Sequence, residues 1–339
     1  MDVFGLDLGT SLIKAVQLKQ IKGKVTLVEA GSISTPPKGL ISDSPLDQEA
    51  VIQAVKKLLS ETKISTDKVN AALPDSKVFS RVIELPILSD QELKDALQWE
   101  AEQYIPFPLE EVNLDFSTIS KNEETKKMQV LIVAAPIRLV TKYTGILKSI
   151  GLFTLALETE IIAVSRLIST QISSDKTVMV INLGSNSTAF SILKKGSFSF
   201  VGSISNGGKA LTRTVAHELG FDIERAEEYK KTYGLEEENL EGKVLTAIKP
   251  LIDKIVQEIR KATSFYRQEN PHDQISNLIL TGGTAYLPGI ASYLTQNLEI
   301  ETQINNPWAG IVVDEKKFAH LMGESVLFAA ATGLALRDL

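Results

Sequence analysis

Cysteine is missing from the 339 residues, which excludes disulfides, thiolate metal sites and a cysteine nucleophile. Histidine is nearly as scarce: His217, His272 and His320 are scattered without ligand spacing, so surface or capping roles are expected and no zinc site is assigned. No charge of one sign dominates. The formal net charge is -6 with acidic and basic residues interspersed, which gives no basic groove for nucleic acid. No apolar run approaches the ~20 residues that span a bilayer; Val130 to Val140 is interrupted by Pro136 and Arg138. No secretory leader is expected, since a strand-like run starts directly after Asp2.

What is present is apolar sequence, 43% of the chain, enough for the cores of two domains. Three glycine turns punctuate it: Asp7-Leu8-Gly9-Thr10-Ser11, Asn182-Leu183-Gly184-Ser185-Asn186-Ser187-Thr188 and Thr281-Gly282-Gly283-Thr284. Each follows a short β-branched and aliphatic run, Val3 to Leu8, Val178 to Leu183 and Leu278 to Leu280, which reads as a buried strand. A strand that stops at glycine can offer bare backbone N–H groups to a phosphate, because glycine permits the turn and the close approach. Taken singly, each is an ordinary hairpin turn. Three in order, far apart in sequence, read as a split nucleotide site. Leu12 to Val16 reads as a strand running back, which sets Asp7 and Lys14 on the two shoulders of one hairpin. There Asp7 can hold the waters of a Mg²⁺, an ion that takes only one or two carboxylates. Lys14 by itself is equally an exposed strand lysine.

The stretch from Ser34 to Pro45 reads as a surface loop and Asp47 to Ser60 as an amphipathic helix. A strand from Val78 to Leu85 ends at Pro86, and Ser89-Asp90-Gln91-Glu92 has the form of a capping box for a helix that Pro106 stops. Strands Val112 to Ser120 and Met128 to Ala135 flank the charged turn Lys121 to Lys127, completing a block that interrupts the first domain. In the second, Gly207-Gly208 opens a helical stretch, Lys209 to Glu218. A helical segment around Glu227 and Lys230, then a charged loop from Glu236 to Lys243, precede a long helix expected to start at Pro250. Glu227 and Lys230 lie one turn apart, the spacing of a surface ion pair.

The pattern Gly5-Leu6-Asp7-Leu8-Gly9-Thr10-Ser11 through Lys14 is similar to the first phosphate motif of the actin-like ATPase superfamily, which includes actin, FtsA and the heat-shock chaperone ATPase domain. Val180 to Thr188 resembles its second phosphate motif, and Ile279 to Ala285 its adenosine motif. Glu160-Ile161-Ile162-Ala163 and Ala329 to Ala335 resemble its two connecting motifs. The resemblance implies an α/β, actin-like (ribonuclease-H-like) two-domain fold that binds ATP and Mg²⁺. It assigns Asp7 to the metal and Gly9, Thr10, Ser11, Lys14, Gly184, Ser185, Asn186, Ser187, Gly207 and Gly208 to the phosphates. Gly282, Gly283, Thr284 and Tyr286 go to the nucleoside, and the Ala-Glu-x-x-Lys likeness to FtsA adds Glu227 and Lys230 near ribose and base. Glu160 matches the water-positioning carboxylate, without the usual following proline. Asn182 stands where the superfamily usually has Asp, and loss of one preorganised polar group costs on the order of 10²–10³ in rate. ATP binding with slow or negligible hydrolysis is the expectation.

The segment Trp99-Glu100-Ala101-Glu102-Gln103-Tyr104-Ile105-Pro106-Phe107-Pro108 through Phe116 resembles the PilM family of type IV pilus assembly, as do Phe265-Tyr266-Arg267, the run to Gly289, and Asn306-Pro307-Trp308. This likeness implies an FtsA/PilM-type inserted subdomain. It divides the chain into 1A (residues 1–79 and 137–174), 1C (80–136), 2A (175–208 and 276–339) and 2B (209–275). It further implies a cytoplasmic platform that clamps the N-terminal tail of the membrane protein PilN between the first subdomain and the insertion, with Tyr104 and Phe107 as candidate anchors. Coupling to pilus motor ATPases is implied too, and self-association is left open. Relatives of the FtsA type carry an amphipathic tail after the last helix, whereas this sequence stops at Leu339, so membrane recruitment is expected through a partner. Two alternatives stand beside this: an FtsA-like filament protein, and a small-molecule kinase, which would need a substrate pocket with a catalytic Asp.

Overall fold

The computed structural model describes residues 2–237 and 240–339; the side chains of residues 90, 98–101 and 240 also lie outside the description. The Trp99-Glu100-Ala101 side chains of the family-like segment, and Glu238-Asn239 of the charged loop, therefore fall outside the described residues.

Strands β1 (Phe4–Leu8), β2 (Leu12–Ile21) and β3 (Lys24–Ser34) form an antiparallel meander. Helix α1 (Pro45–Thr62) leads to β4 (Lys68–Leu73), which runs parallel to β1. Next come β5 (Phe79–Pro86), α2 (Asp90–Glu102), β6 (Val112–Asn122) and β7 (Lys127–Pro136), whose strands make a separate three-stranded sheet ordered β5-β7-β6. The capping box forms: Ser89 donates to Glu92 from its hydroxyl at 2.7 Å and its amide at 2.8 Å. Helix α3 (Ile137–Ile150) returns to the first sheet, where β8 (Phe153–Thr159) adds beside β4 in the order β3-β2-β1-β4-β8.

Helix α4 (Glu160–Ser169) then carries the chain into a second five-stranded sheet. Strands β9 (Thr177–Leu183), β10 (Thr188–Lys194) and β11 (Ser197–Ile204) repeat the opening meander. Helices α5 (Gly208–Leu219), α6 (Ile223–Tyr233) and α7 (Lys243–Glu269) follow. Strand β12 (Asn277–Thr281), α8 (Ile290–Leu298) and β13 (Glu301–Ile304) complete the order β11-β10-β9-β12-β13, with β12 parallel to both neighbours. Short helices α9 (Ala319–Met322) and α10 (Ala329–Ala335) end the chain.

The long helix begins at Lys243, seven residues before the expected start at Pro250. Pro250 cannot donate to the carbonyl of Thr246, but Val244, Ala247 and Ile248 are buried on the same face as Ile252 and Ile255, and that burial carries the helix through the proline. The chain after β13 also departs from a single-domain path. Trp308, Phe318 and Phe328 pack with Val16, Leu18 and Leu27 of the first sheet, and Val312 exchanges backbone hydrogen bonds with Val25 and Leu27 at 2.9 Å.

The two halves meet where α4 and α10 cross. Ile161, Val164, Leu167 and Ile168 of α4 pack on the second sheet, while α10 lies on β1 and β2 of the first. The approach is backbone on backbone: a Cβ at Gly333 would stand 1.9 Å from the Ala163 carbonyl oxygen, and one at Gly5 would stand 2.0 Å from that of Ala331. Only glycine fits at either place. Glycine-to-alanine ordinarily strengthens a helix interior by about 1 kcal/mol. Gly333→Ala is expected to do the opposite, lowering stability by about 1–3 kcal/mol through overpacking. A urea midpoint that stays level or rises in this variant would contradict the crossing.

Candidate nucleotide site

The first turn is built on a strand buried on both faces. Asp7 in β1 is 3% exposed and pairs in register with Lys14 of β2, whose Nζ meets Asp7 Oδ2 at 2.5 Å. The second carboxylate oxygen, Oδ1, is buried with no hydrogen-bond partner in the protein. Gly9 is required sterically, since a Cβ there would lie 2.5 Å from the Leu12 carbonyl oxygen. The turn is tied from outside: Thr35 donates its hydroxyl to the Gly9 carbonyl at 2.6 Å and its N–H to that of Ser11 at 3.0 Å.

The second turn occupies the equivalent place in the second sheet. The Gly184 N–H donates to the Ser187 carbonyl at 2.9 Å, and the Gly184 carbonyl accepts from the Gly208 N–H at 3.0 Å and the Thr284 hydroxyl at 3.3 Å. Gly207 sits behind this turn, where a Cβ would come within 2.6 Å of the Ser187 nitrogen. At the third turn Gly282 has φ +81°, and a Cβ would lie 2.6 Å from the Leu183 carbonyl oxygen. Second and third turns are thus one packed unit. Across the gap the first turn touches it: Ser11 donates to the Ser185 hydroxyl at 2.8 Å, and Lys209 Nζ donates to the Thr10 carbonyl at 3.0 Å.

Glu160 opens α4 and faces Asn182 at the end of β9, whose amide donates to Glu160 Oε2 at 3.0 Å while its oxygen accepts from Thr281 at 3.2 Å. Beneath them lies Asp75, which the sequence reading did not single out. It is 5% exposed and accepts the Ile161 N–H at 3.2 Å, fixing the first turn of the helix that presents Glu160. Asp7, Asp75 and Glu160 share a floor with Lys14 as the cation that acts on it. Burial first, then the charges of Asp7 and Asp75, push the Glu160 carboxyl up to about 8 against the pull of Lys14 and Asn182. Burial likewise pushes Asp75 up to about 7, with the Asp7 charge adding to it and the Ile161 N–H opposing it.

Glu227 and Lys230 form more than a surface pair. Lys230 is 6% exposed, and its ammonium donates to Glu227 at 2.6 Å, Thr212 at 2.9 Å and the Gly208 carbonyl at 3.2 Å, while Thr212 also bonds Glu227. Those acceptors use all the hydrogens of Lys230, so its visible work is to clamp α6 onto the start of α5. Tyr286 stands at the rim, its hydroxyl accepting from the Val326 N–H at 3.4 Å. One cleft of 1690 Å³ is lined by every residue assigned from sequence to nucleotide, metal or catalysis except Gly207. It continues past the first turn to Ile41, Phe107, Pro136 and Leu139, at the seam with the three-stranded sheet. Phe107 is there, but Tyr104 packs inside the insertion with Arg81 4.8 Å above its ring, so Tyr104 does not offer a free anchor.

The carboxyls at and beneath the cleft floor make stability depend on pH. Glu160 and Asp75 hold protons in the folded chain at pH values where the unfolded chain has released them, so the contribution of these two groups is full below about pH 4 and is lost as pH rises toward about 8. Glu160→Gln removes one such group and is expected to flatten the fall in thermal midpoint between about pH 5 and pH 8. A slope equal to that of the unmodified chain would show that Glu160 ionises freely.

The family described as type IV pilus assembly protein PilM matches residues 5–339. A solved PilM-PilN type IV pilus biogenesis complex superposes with a TM-score of 0.88 at 30% identity, covering 99% of this chain and 98% of that one. The cell division protein FtsA of Enterococcus faecalis is 20% identical over 344 residues, 89% of this chain and 78% of its own length. MreB5 of Spiroplasma citri, solved bound to AMPPNP, shares the fold at 14% identity with a TM-score of 0.52, over 98% of this chain and 94% of its own. The fold is actin-like, and the chain belongs to the PilM family of type IV pilus assembly proteins.

Proposed function

We propose that the chain is an ATP-binding platform of the type IV pilus machinery that grips the N-terminal cytoplasmic tail of PilN, and through it sits at the inner membrane. The observation that carries this reading is the continuous cleft, which joins three glycine turns at one end to an apolar seam beside the insertion at the other. The likeness to the PilM-PilN complex over nearly the full chain supports PilN as the partner. The seam suits a peptide: Ile41 is 69% exposed and Phe107 39%, beside Pro136 at the end of the three-stranded sheet's β7. In this reading residues 80–136 act as the partner-binding insertion and residues 209–275 as the second one, against the base.

For the nucleotide, the turns supply N–H donors and Lys14 supplies charge at the phosphates. The orphaned Oδ1 of Asp7 is a fitting acceptor for the waters of Mg²⁺, and no cluster of three or more His, Asp or Glu among the described residues could cage a metal alone. Magnesium bound with a triphosphate neutralises part of its charge and orients it. Asn182 cannot take a proton from water, and it occupies a Glu160 that itself holds a proton near neutral pH. Both features favour holding ATP over hydrolysing it. Fluorescence titration with the N-terminal peptide of the cognate PilN is expected to saturate. Phe107→Ala should weaken it about tenfold or more, the cost of losing an aromatic anchor. Undiminished affinity after truncating Phe107 and Ile41 together would put the partner elsewhere.

A further inference from the structure

Lys209, the second residue of α5, lies in the cleft wall and is not among the residues that the superfamily motifs mark. Its N–H donates to the Ser185 carbonyl at 2.8 Å, which roots the side chain in the second turn. Its ammonium crosses to the other half and donates to the Thr10 carbonyl at 3.0 Å. The Thr10 carbonyl satisfies one N–H of that ammonium but brings no opposite charge, so the bond leaves the lysine without a counter-ion. The charges of the other lysines at the turns are balanced within the protein, Lys14 by Asp7 at 2.5 Å and Lys230 by Glu227 at 2.6 Å, and Lys14 stands at the first turn whichever nucleotide is bound. Among the described residues no carboxylate pairs with Lys209.

We infer that Lys209 is a positioning residue that reads the terminal phosphate of a bound nucleoside triphosphate, exchanging the Thr10 carbonyl for the phosphate and drawing the two halves together. The inference rests on the nucleotide reading of the cleft. Thr284 and Tyr286 belong to the second half, so a nucleoside held by them extends its phosphates toward the first turn. The last phosphate is the one that arrives where Lys209 already reaches Thr10. A diphosphate ends sooner and gains less from that ammonium.

Calorimetry with Mg-ATP and Mg-ADP on the full chain, on Lys209→Ala and on Lys209→Gln tests this, with Lys14→Ala as a variant expected to weaken both nucleotides. Both Lys209 variants should lose roughly tenfold or more for ATP and at most about threefold for ADP, since glutamine can donate to Thr10 but carries no charge. Equal losses for the two nucleotides, or recovery of ATP affinity in Lys209→Gln, would reduce Lys209 to a contact that merely closes the cleft. Unchanged affinities in both variants, with the unmodified chain binding normally, would overturn the inference alone. An unmodified chain that bound neither nucleotide would overturn the reading of the cleft and the inference with it.

Discussion

The crossing of α4 and α10 is the constraint from which the rest of the molecule follows. Helices whose side chains interdigitate keep axes about 8–10 Å apart, but here Gly333 lets one backbone rest on the carbonyl of Ala163 and Gly5 lets β1 rest on Ala331. The contact is locked by a charge cluster around one buried carboxylate. Glu158, 5% exposed at its side chain, receives both guanidinium nitrogens of Arg166 at 2.5 Å and Arg337 at 2.7 Å, while Arg166 also donates to the Gly333 carbonyl at 2.8 Å. Asn70 adds bonds to the Leu334 carbonyl at 3.1 Å and Asp338 at 2.7 Å. A buried carboxylate needs full pairing to be tolerated, and each oxygen of Glu158 is engaged. Glu160 begins the same α4, so the geometry of the cleft floor is inherited from the crossing.

Repetition of one topology explains why the site is split. Both sheets open with an antiparallel meander and add two parallel strands, and both place a glycine turn at the end of the first strand. Set face to face by the crossing, the turns bring Ser11 and Ser185 within 2.8 Å. Neither half can surround a chain of phosphates alone. A ligand gripped by both turns must therefore couple its own binding to the separation of the two halves, and the apolar seam at the far end of the same cleft shares the first half with the first turn.

Much of this was legible in the sequence, because backbone requirements leave traces in residue type. A glycine where a Cβ would strike a carbonyl, as at Gly9 and Gly282, can be read from the strand-then-glycine pattern alone. Asp75 left no such trace: a single aspartate after a proline, its importance arises from burial under α4. Lys209 was visible only as one lysine of a helical stretch, since its reach to Thr10 joins residues far apart in the chain. Tyr104 and Phe107 stand in one short segment, yet one packs inward and the other faces the cleft, a distinction that depends on how the helix ends. Pro250 misled because local propensity was outweighed by the buried face of α7. The return of Trp308 and Phe328 to the first sheet is likewise tertiary, with no local signal to announce it.

The central claim is that both turns hold one nucleotide across the gap between the sheets. A crystal structure of the chain with Mg²⁺ and AMPPNP tests it directly. The account predicts phosphates bound by the backbone of residues 9–11 and 184–187 together, with the Ser11 to Ser185 hydrogen bond broken to admit them. Phosphates held by one turn alone, or nucleotide bound elsewhere with that hydrogen bond intact, would contradict it.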